Sequence, residues 1–570
     1  MREVLTAQDL NERDKRLLFW GSFLALAAAG AGFAFRIAKQ GLYGSEFSLT
    51  FQEVGNIMGA SFWPIAVTMI LFSLVVDRTG YKLPMYGAFV LQALSGVLFF
   101  TASGYDSLYY ASVCAGLGHG IVEAVINPVC AAVYPKDKTK RLTILHAAWP
   151  AGVAGGTLLI FFADRIADLS WRMHGLWIVL PAVAYALMYL PCRFPVDERV
   201  QAGVPFKEML QQMGFLSATL ASILLVYEMG NSLGFATESD WLRNSLFIGG
   251  AIGLGFGLAV RSLGQPLFFA LCVLMIPVAT AELSTDSWIQ KLVGPAITDL
   301  SVPAEFAIVF SAGVMLILRV FAGGILQFFT PPSLMAVSGM LSAVGLFWLS
   351  STAGGVAVFV AFLLYAIGQT YYWPCILGFT AERYPKGGAL TLNTVSAMGL
   401  LSLGVIGAPI LGVAFDKSIH ASLSEAAPEL VAVAPKTGNF LGRTHDAIDP
   451  AFMTPAESWT ELDEEGEPKF NPDANANGIL DRDEHIGTLG DNAEAIAGIR
   501  AAWAWIDAMS AEERGQVLGT YAEKDAAAGR DVLRYAVRFP AILVVAFGLI
   551  FLYFRSRGGY KPVELTGPDA

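Results

Sequence analysis

The sequence predicts an all-α polytopic membrane protein. Two six-helix bundles are related by an internal repeat. A two-helix insertion between them brings the count to fourteen spans, and a soluble extracytoplasmic insertion interrupts the last two. Three observations carry this. Apolar types make up 55% of the 570 residues and charged types only 15%, where soluble domains carry about a quarter. The apolar residues fall in runs of about 18 to 28, the length that crosses a bilayer. Finally, Tyr134-Pro135-Lys136 recurs as Tyr384-Pro385-Lys386. A mean hydropathy of +0.54 and 58 glycines, which let bilayer helices approach closely, point the same way. A soluble enzyme, a nucleic-acid binder and a secreted disulfide scaffold are excluded.

After a polar tail (1–16), the first bundle occupies 17–192, with spans near 17–36, 54–76, 84–102, 107–134, 142–163 and 174–192. A polar loop, 193–213, leads to the extra pair within 214–262. Five helices of the second bundle follow in 266–414, and the sixth is 536–554, before a tail at 555–570. Basic residues in short loops set orientation. With the N-terminus inside, the inner segments hold 19 basic residues, and the short outer loops hold six: Arg36, Lys39, Arg165, Arg172, Arg243 and Lys291. Both termini are therefore expected in the cytoplasm of a cell whose bounding membrane, for a bacterium the inner membrane, holds the protein as a monomer. The net charge of −11 belongs to residues 416–534, whose own balance is −13, with 23 acidic and 10 basic residues. That segment is expected outside. The five cysteines show no pairing or metal spacing and read as packing thiols.

The repeat runs at an offset of 250: Gly118 matches Gly368, Met85 matches Met335, and Leu142 matches Leu392. Duplicated bundles facing each other are a transporter architecture, with the solute near the midplane between them.

Chemistry concentrates in the fourth span. His119, Glu123 and Asn127 are four apart and share one helical face. Glu123 lies about 16 Å of helix from Tyr134, near mid-membrane. An ionisable group there is costly and is by default a functional candidate. A carboxyl alternately shut away and opened to water binds and releases a proton. His146 begins the next span. Arg36 either snorkels to the outer interface or faces the cavity as a cation. Glu282 and Asp286 share a face of the seventh span. Arg319, deep in the eighth, needs a partner, for which Glu282 and Glu123 are both candidates. Gln369, Tyr371, Tyr372 and Trp373 cluster beside Pro374, either as a sugar-binding surface or as aromatic packing. Asn393 opens the eleventh span.

The loop Asp77-Arg78-Thr79-Gly80-Tyr81-Lys82 resembles the Asp-Arg-x-Gly-Arg/Lys loop of the major facilitator superfamily, with Tyr81 in place of a basic residue. Glu123-Ala124-Val125-Ile126-Asn127-Pro128 resembles the fucose-permease-like branch of sugar/proton symporters, as do Arg141-Leu142-Thr143 and Ala279 to Ile289. The resemblance covers the membrane portion. It implies that Glu123 carries the proton, with His146 beside it. It also implies that Asn127 lines the pore, and that Asp77, Arg78, Gly80 and Lys82 hold one state of the rocking bundles. His119, Arg36, Glu282, Arg319, Gln369, Tyr372, Trp373 and Asn393 are the candidate solute contacts. The expected activity is proton-coupled uptake of a sugar or similar small polar solute, and no enzyme motif is present. The rivals are a proton-driven exporter of amphipathic compounds and a non-transporting receptor.

In the outer segment, residues 473–484 fit the calcium-loop pattern D-x-[DN]-x-[DN]-G-x₅-E at every position. Asp473, Asn475, Asn477, Asp481 and Glu484 would supply side-chain oxygens and Ile479 its carbonyl, with Gly478 turning the chain. A single such loop is expected to be a structural calcium clip. Helices are expected from Arg500 to Met509 and from Ala511 to Arg530, with few strands.

Overall fold

A computed structural model describes residues 5–47, 54, 57–166, 170–234, 240–298, 303, 306–352, 355–453, 482, 485–486 and 493–565. Among them, twelve helices are long and apolar enough to cross a membrane. This is an integral multi-pass membrane protein.

The first bundle comprises α1 (Glu12–Phe47), α2 (Trp63–Thr79), α3 (Lys82–Phe100) and α4 (Tyr105–Val133). It continues with α5 (Lys138–Leu145), α6 (Ala148–Ile166), α7 (Trp171–Trp177) and α8 (Val179–Tyr189). The connecting strap carries one short helix, α9 (Glu198–Gln201). The insertion is a hairpin of α10 (Phe206–Ser232) and α11 (Trp241–Val260). Gly249, Gly253 and Gly257 let α11 sit against α10, for a Cβ on them would clash with Ile223, Thr219 and Phe215.

The second bundle begins with α12 (Pro266–Ala279), a π-helical turn at Thr280–Ser284, and α13 (Thr285–Thr298). Next come α14 (Phe306–Val320), α15 (Ala322–Leu326), α16 (Pro331–Ser350), α17 (Val356–Gln369) and α18 (Tyr372–Arg383). Then α19 (Gly388–Ser402) passes through a second π turn, Leu403–Gly407, into α20 (Ala408–Ala426).

The repeat is visible in backbone and packing. Tyr134 ends α4 at φ −123° and Tyr384 ends α18 at φ −124°. A Cβ on Gly118 would meet Gln92, and one on Gly368 would meet Ser342; both pairs stand 250 apart. The halves differ at one place. α4 is continuous, whereas its counterpart breaks at Thr370-Tyr371 into α17 and α18.

The sequence boundaries at 416 and 534 fall inside helices. α20 runs on to Ala426, and α23 (Ala511–Ala536) meets α24 (Arg538–Ser556) across Val537 alone. Ser418 donates to Asp531 at 2.7 Å. Leu411, Phe415, Ile419 and Leu423 share a core with Ala528, Val532 and Leu533. The segment is thus built on extensions of two bundle helices. It also holds α21 (Pro428–Val433), α22 (Ala493–Asp507) and an antiparallel hairpin, β1 (Pro435–Phe440) with β2 (Arg443–Ile448). These two strands form the one sheet among the described residues. The hairpin's two-residue turn is Leu441-Gly442, with φ of 50° and 75°. Leucine there hides the Asn-Gly signal that such turns usually show. Asp473, Asn475, Asn477, Ile479, Asp481 and Glu484 lie outside the described residues. All five cysteines are free thiols.

Candidate functional site

The site grows from two prolines and one helix break. Pro128 lacks an N–H, so the carbonyl of Ala124 is left without its helical donor. Asn393, from α19 of the other bundle, donates Nδ2 to that carbonyl at 3.1 Å and to Ser73 Oγ at 2.8 Å. Pro374 frees Thr370 O in the same way, and Arg319 Nε donates to it at 2.7 Å. The break also leaves the first N–H groups of α18 unpaired. The N–H of Trp373 faces Glu282 Oε2 at 3.3 Å. The broken helix therefore offers a carbonyl to the cation and an N–H to the anion. Glu282 itself stands in the π turn, where the wider coil re-aims one side chain.

Arg319 Nη2 and Glu282 Oε1 form an ion pair at 2.7 Å, which settles the choice of partner for Arg319. Arg319 Nη1 also reaches His146 O at 3.1 Å, crossing from the second bundle to the first. His146 Nε2 lies 2.9 Å from Asn127 Oδ1. An amide oxygen only accepts, so the imidazole donates from Nε2. Asn127 Nδ2 in turn donates to Glu123 Oε2 at 2.8 Å. His119 Nε2 stands 3.8 Å from Glu123 Oε1 and stacks on Trp149 at 5.2 Å between centroids. A continuous polar chain thus links Glu123 in α4 to Glu282 in the π turn.

Above this chain lies a cavity of about 310 Å³ between the bundles. Of the candidate residues, Arg36, His119 and Glu282 line it, together with Asp286. Apolar walls come from Phe33, Phe62, Trp149 and Ile308, among others. Asp286 accepts from Gln369 Nε2 at 3.0 Å and from Ser311 Oγ at 3.3 Å. Six of the candidate contacts are not on the cavity lining: Asn127, Arg319, Gln369, Tyr372, Trp373 and Asn393. Tyr372 is buried in its own bundle, with its hydroxyl 3.5 Å from Ser338 O. The Trp373 ring packs on Gly399 and Met275. Asn393 ties the bundles together, as described. Asn127 is completely buried and serves as the link between Glu123 and His146.

At the opposite end the bundles are closed by a strap. Asp77 pairs with Arg199 of α9, and Lys82 Nζ caps the carbonyls of Leu190 and Cys192 at 2.9 and 3.1 Å. Gly80 turns the loop at φ 69°, and Arg78 ends α2 on the exposed face. Tyr81, the departure from the family loop, donates its hydroxyl to Asp197 Oδ2 at 3.0 Å. That oxygen also accepts the N–H of Ala389 at 3.0 Å, at the start of α19, and Asp197 Oδ1 accepts the N–H of Arg199 at 2.9 Å. One buried carboxylate therefore joins the first bundle, the strap and the second bundle. Burial raises its pKa above the ordinary carboxylate range, although the Arg199 N–H, the Arg199 charge and the Tyr81 hydroxyl all pull it down. Lys138 adds a pair to Glu198, Lys386 pairs with Glu208 at 2.6 Å, and Thr139 bonds Glu382. In sequence Asp197 reads as an ordinary loop acid. The only signal is Asp197-Glu198-Arg199, a helix-capping pattern.

The described residues contain no group of histidine, cysteine or carboxylate side chains able to hold a metal ion.

The model of the Major Facilitator Superfamily matches residues 18–415. No curated protein matches the chain. Among solved structures, the bacterial homolog of the human lysosomal transporter Spinster, inward-facing and unoccupied, superposes with a TM-score of 0.55 at 13% identity. That match covers 97% of this chain and 100% of that one. The E. coli fucose:proton symporter FucP gives 0.48 at 14% identity over 87% and 98%. The E. coli xylose transporter XylE gives 0.47 at 13% over 70% and 91%. Such identities speak of fold alone. With the family model spanning most of the chain and a cavity between two repeated bundles, this protein belongs to the Major Facilitator Superfamily and is a membrane transporter, not an enzyme.

Proposed function

We propose that the protein is a secondary active transporter that couples proton influx to uptake of a sugar or similar small polar solute by alternating access. The polar chain from Glu123 through Asn127 and His146 to the Arg319–Glu282 pair carries this reading. It joins an ionisable group of one bundle to an ion pair of the other, directly beside the cavity. A proton on Glu123 weakens its hold on the Asn127 amide. That change is passed to His146 and to the bundle interface, where the two conformations differ. The solute is held between Arg36, His119 and the Glu282–Asp286 wall. Rocking then parts the strap around Asp197 and closes the cavity end.

In this reading the chain crosses the membrane fourteen times. The two crossings beyond the twelve long helices are the interrupted ones, α7 with α8 and α14 with α15. The termini and the strap are cytoplasmic, residues 416–534 lie outside, and a bacterial inner membrane is the setting. Residues 473–484 bind one structural Ca²⁺. In support, Arg482, His485 and Ile486 are helical. Arg482 pairs with Asp507 and His485 lies against Trp503, so the chain leaving the loop is anchored to α22.

The test is uptake into proteoliposomes from a panel of sugars and sugar derivatives, with and without an inward proton gradient. At least one solute is expected to accumulate only with the gradient and to acidify the lumen. Gradient-independent behaviour across the panel would overturn the proposal.

A further inference from the structure

Resting on the transport role proposed above, we infer that the solute carries an anionic group, a carboxylate or a phosphate, and that Arg36 binds it. Arg36 is 5% exposed and lines the cavity from α1. Glu282 is paired with Arg319, and Asp286, which has no cation of its own, is held by the Gln369 amide and the Ser311 hydroxyl. Arg36 has no ion pair among the described residues, and its Nε has no hydrogen-bond partner. A guanidinium taken out of water without an anion is costly. A planar fork of donors is the group best suited to a carboxylate or phosphate, which it grips by two oxygens.

The surroundings limit what else fits. Phe33, Phe62 and Trp149 line the same space and leave the cation little water to replace an anion. A volume of about 310 Å³ suits a solute of monosaccharide size. The second bundle offers the opposite chemistry. Asp286 keeps acceptor oxygens on the lining and has no basic partner, so it suits hydroxyl or ammonium donors. A hydroxylated acid meets both walls, anion to Arg36 and hydroxyls to Asp286. A neutral sugar would leave Arg36 uncompensated. An inorganic anion would leave Asp286 unused.

The full-length protein in detergent is titrated with matched pairs: D-glucuronate and glucose 6-phosphate against D-glucose, and D-gluconate against sorbitol, at equal ionic strength. Wild type is expected to bind at least one acid about tenfold to a hundredfold more tightly than its neutral parent, the worth of a charged hydrogen-bonded contact. Which acid wins distinguishes carboxylate from phosphate. Arg36→Gln is expected to erase that preference by lowering affinity for the acid to about that of its neutral parent, and Arg36→Lys to retain part of it. Ligand-free Arg36→Gln should melt no lower than wild type, since it removes an uncompensated charge. Neutral parents bound as tightly as the acids, a preference surviving in Arg36→Gln, no acid bound at all, or a sharp loss of ligand-free stability would each overturn the inference. Neutral solutes that bind and drive proton influx would sink this inference and leave the transport role standing. Arg36-dependent acid binding without gradient-driven uptake would do the reverse.

Discussion

Arg319 and Glu282 meet 2.7 Å apart with almost no solvent exposure, and each is also held by the break in the helix between Gln369 and Tyr372. Removing one partner of such a pair leaves a buried charge and costs about 3–5 kcal/mol, while removing both is nearly neutral. Glu282→Gln and Arg319→Gln are therefore each expected to lower the melting temperature sharply in detergent, and the double variant to recover most of the loss. Single variants that melt like wild type would show that the pair does not hold the second bundle together.

Asp197 joins three parts of the closed end. Asp197→Ala removes a helix cap, worth about 0.5–2 kcal/mol, and releases Tyr81 as well. A cysteine placed at Ala132, buried beside Asp197, should then react several-fold faster with a thiol reagent as the bundles part there. Unchanged labelling would remove Asp197 from the latch. The pH dependence has a definite sign. A carboxyl whose folded pKa is raised binds its proton more readily folded than unfolded. Its contribution is present at low pH and fades as pH rises through the raised value. Asp197→Asn should remove that fall while keeping an acceptor for the Ala389 N–H.

Sidedness is open to direct labelling. With the native cysteines replaced, a cysteine at Asn475 should react with an impermeant thiol reagent in intact cells, and one at Lys136 should not. Lys136 is the better inner probe because it is exposed, whereas Lys138 is buried. The reverse pattern would invert the topology.

Calcium is expected to bind the full-length protein once, at roughly 10⁻⁴–10⁻³ M, the range of extracellular modules. Glu484→Gln should weaken binding strongly, because that carboxylate would supply two oxygens. Calcium should raise the melting temperature by binding only the folded loop well. Chelation is expected to change transport little. Calorimetry without a heat of binding at millimolar calcium would eliminate the site.

Part of this architecture can be read from the amino-acid sequence. Four-residue spacing put His119, Glu123 and Asn127 on one face, and the Tyr-Pro-Lys repeat located matching helix ends. Asn-Pro and Trp-Pro gave proline positions, but not which side chain takes the freed carbonyl, because Asn393 and Arg319 arrive from helices far off in sequence. The π turn that re-aims Glu282 leaves no mark on hydrophobic periodicity. Asp197 looked like loop polarity because its three partners meet only when the bundles pack. The continuation of α20 past residue 416 was hidden by composition. The polar, acidic continuation of a hydrophobic helix reads as a separate segment when hydropathy sets the boundary.

The most direct measurement is solute movement by Glu123→Gln in proteoliposomes, in two modes on one preparation. The glutamine keeps the hydrogen bond to Asn127 within reach but never releases a proton. Uphill accumulation driven by a proton gradient should be abolished, while exchange of labelled for unlabelled solute at equal pH stays close to wild type. Undiminished uphill accumulation by Glu123→Gln would contradict the coupling role of Glu123.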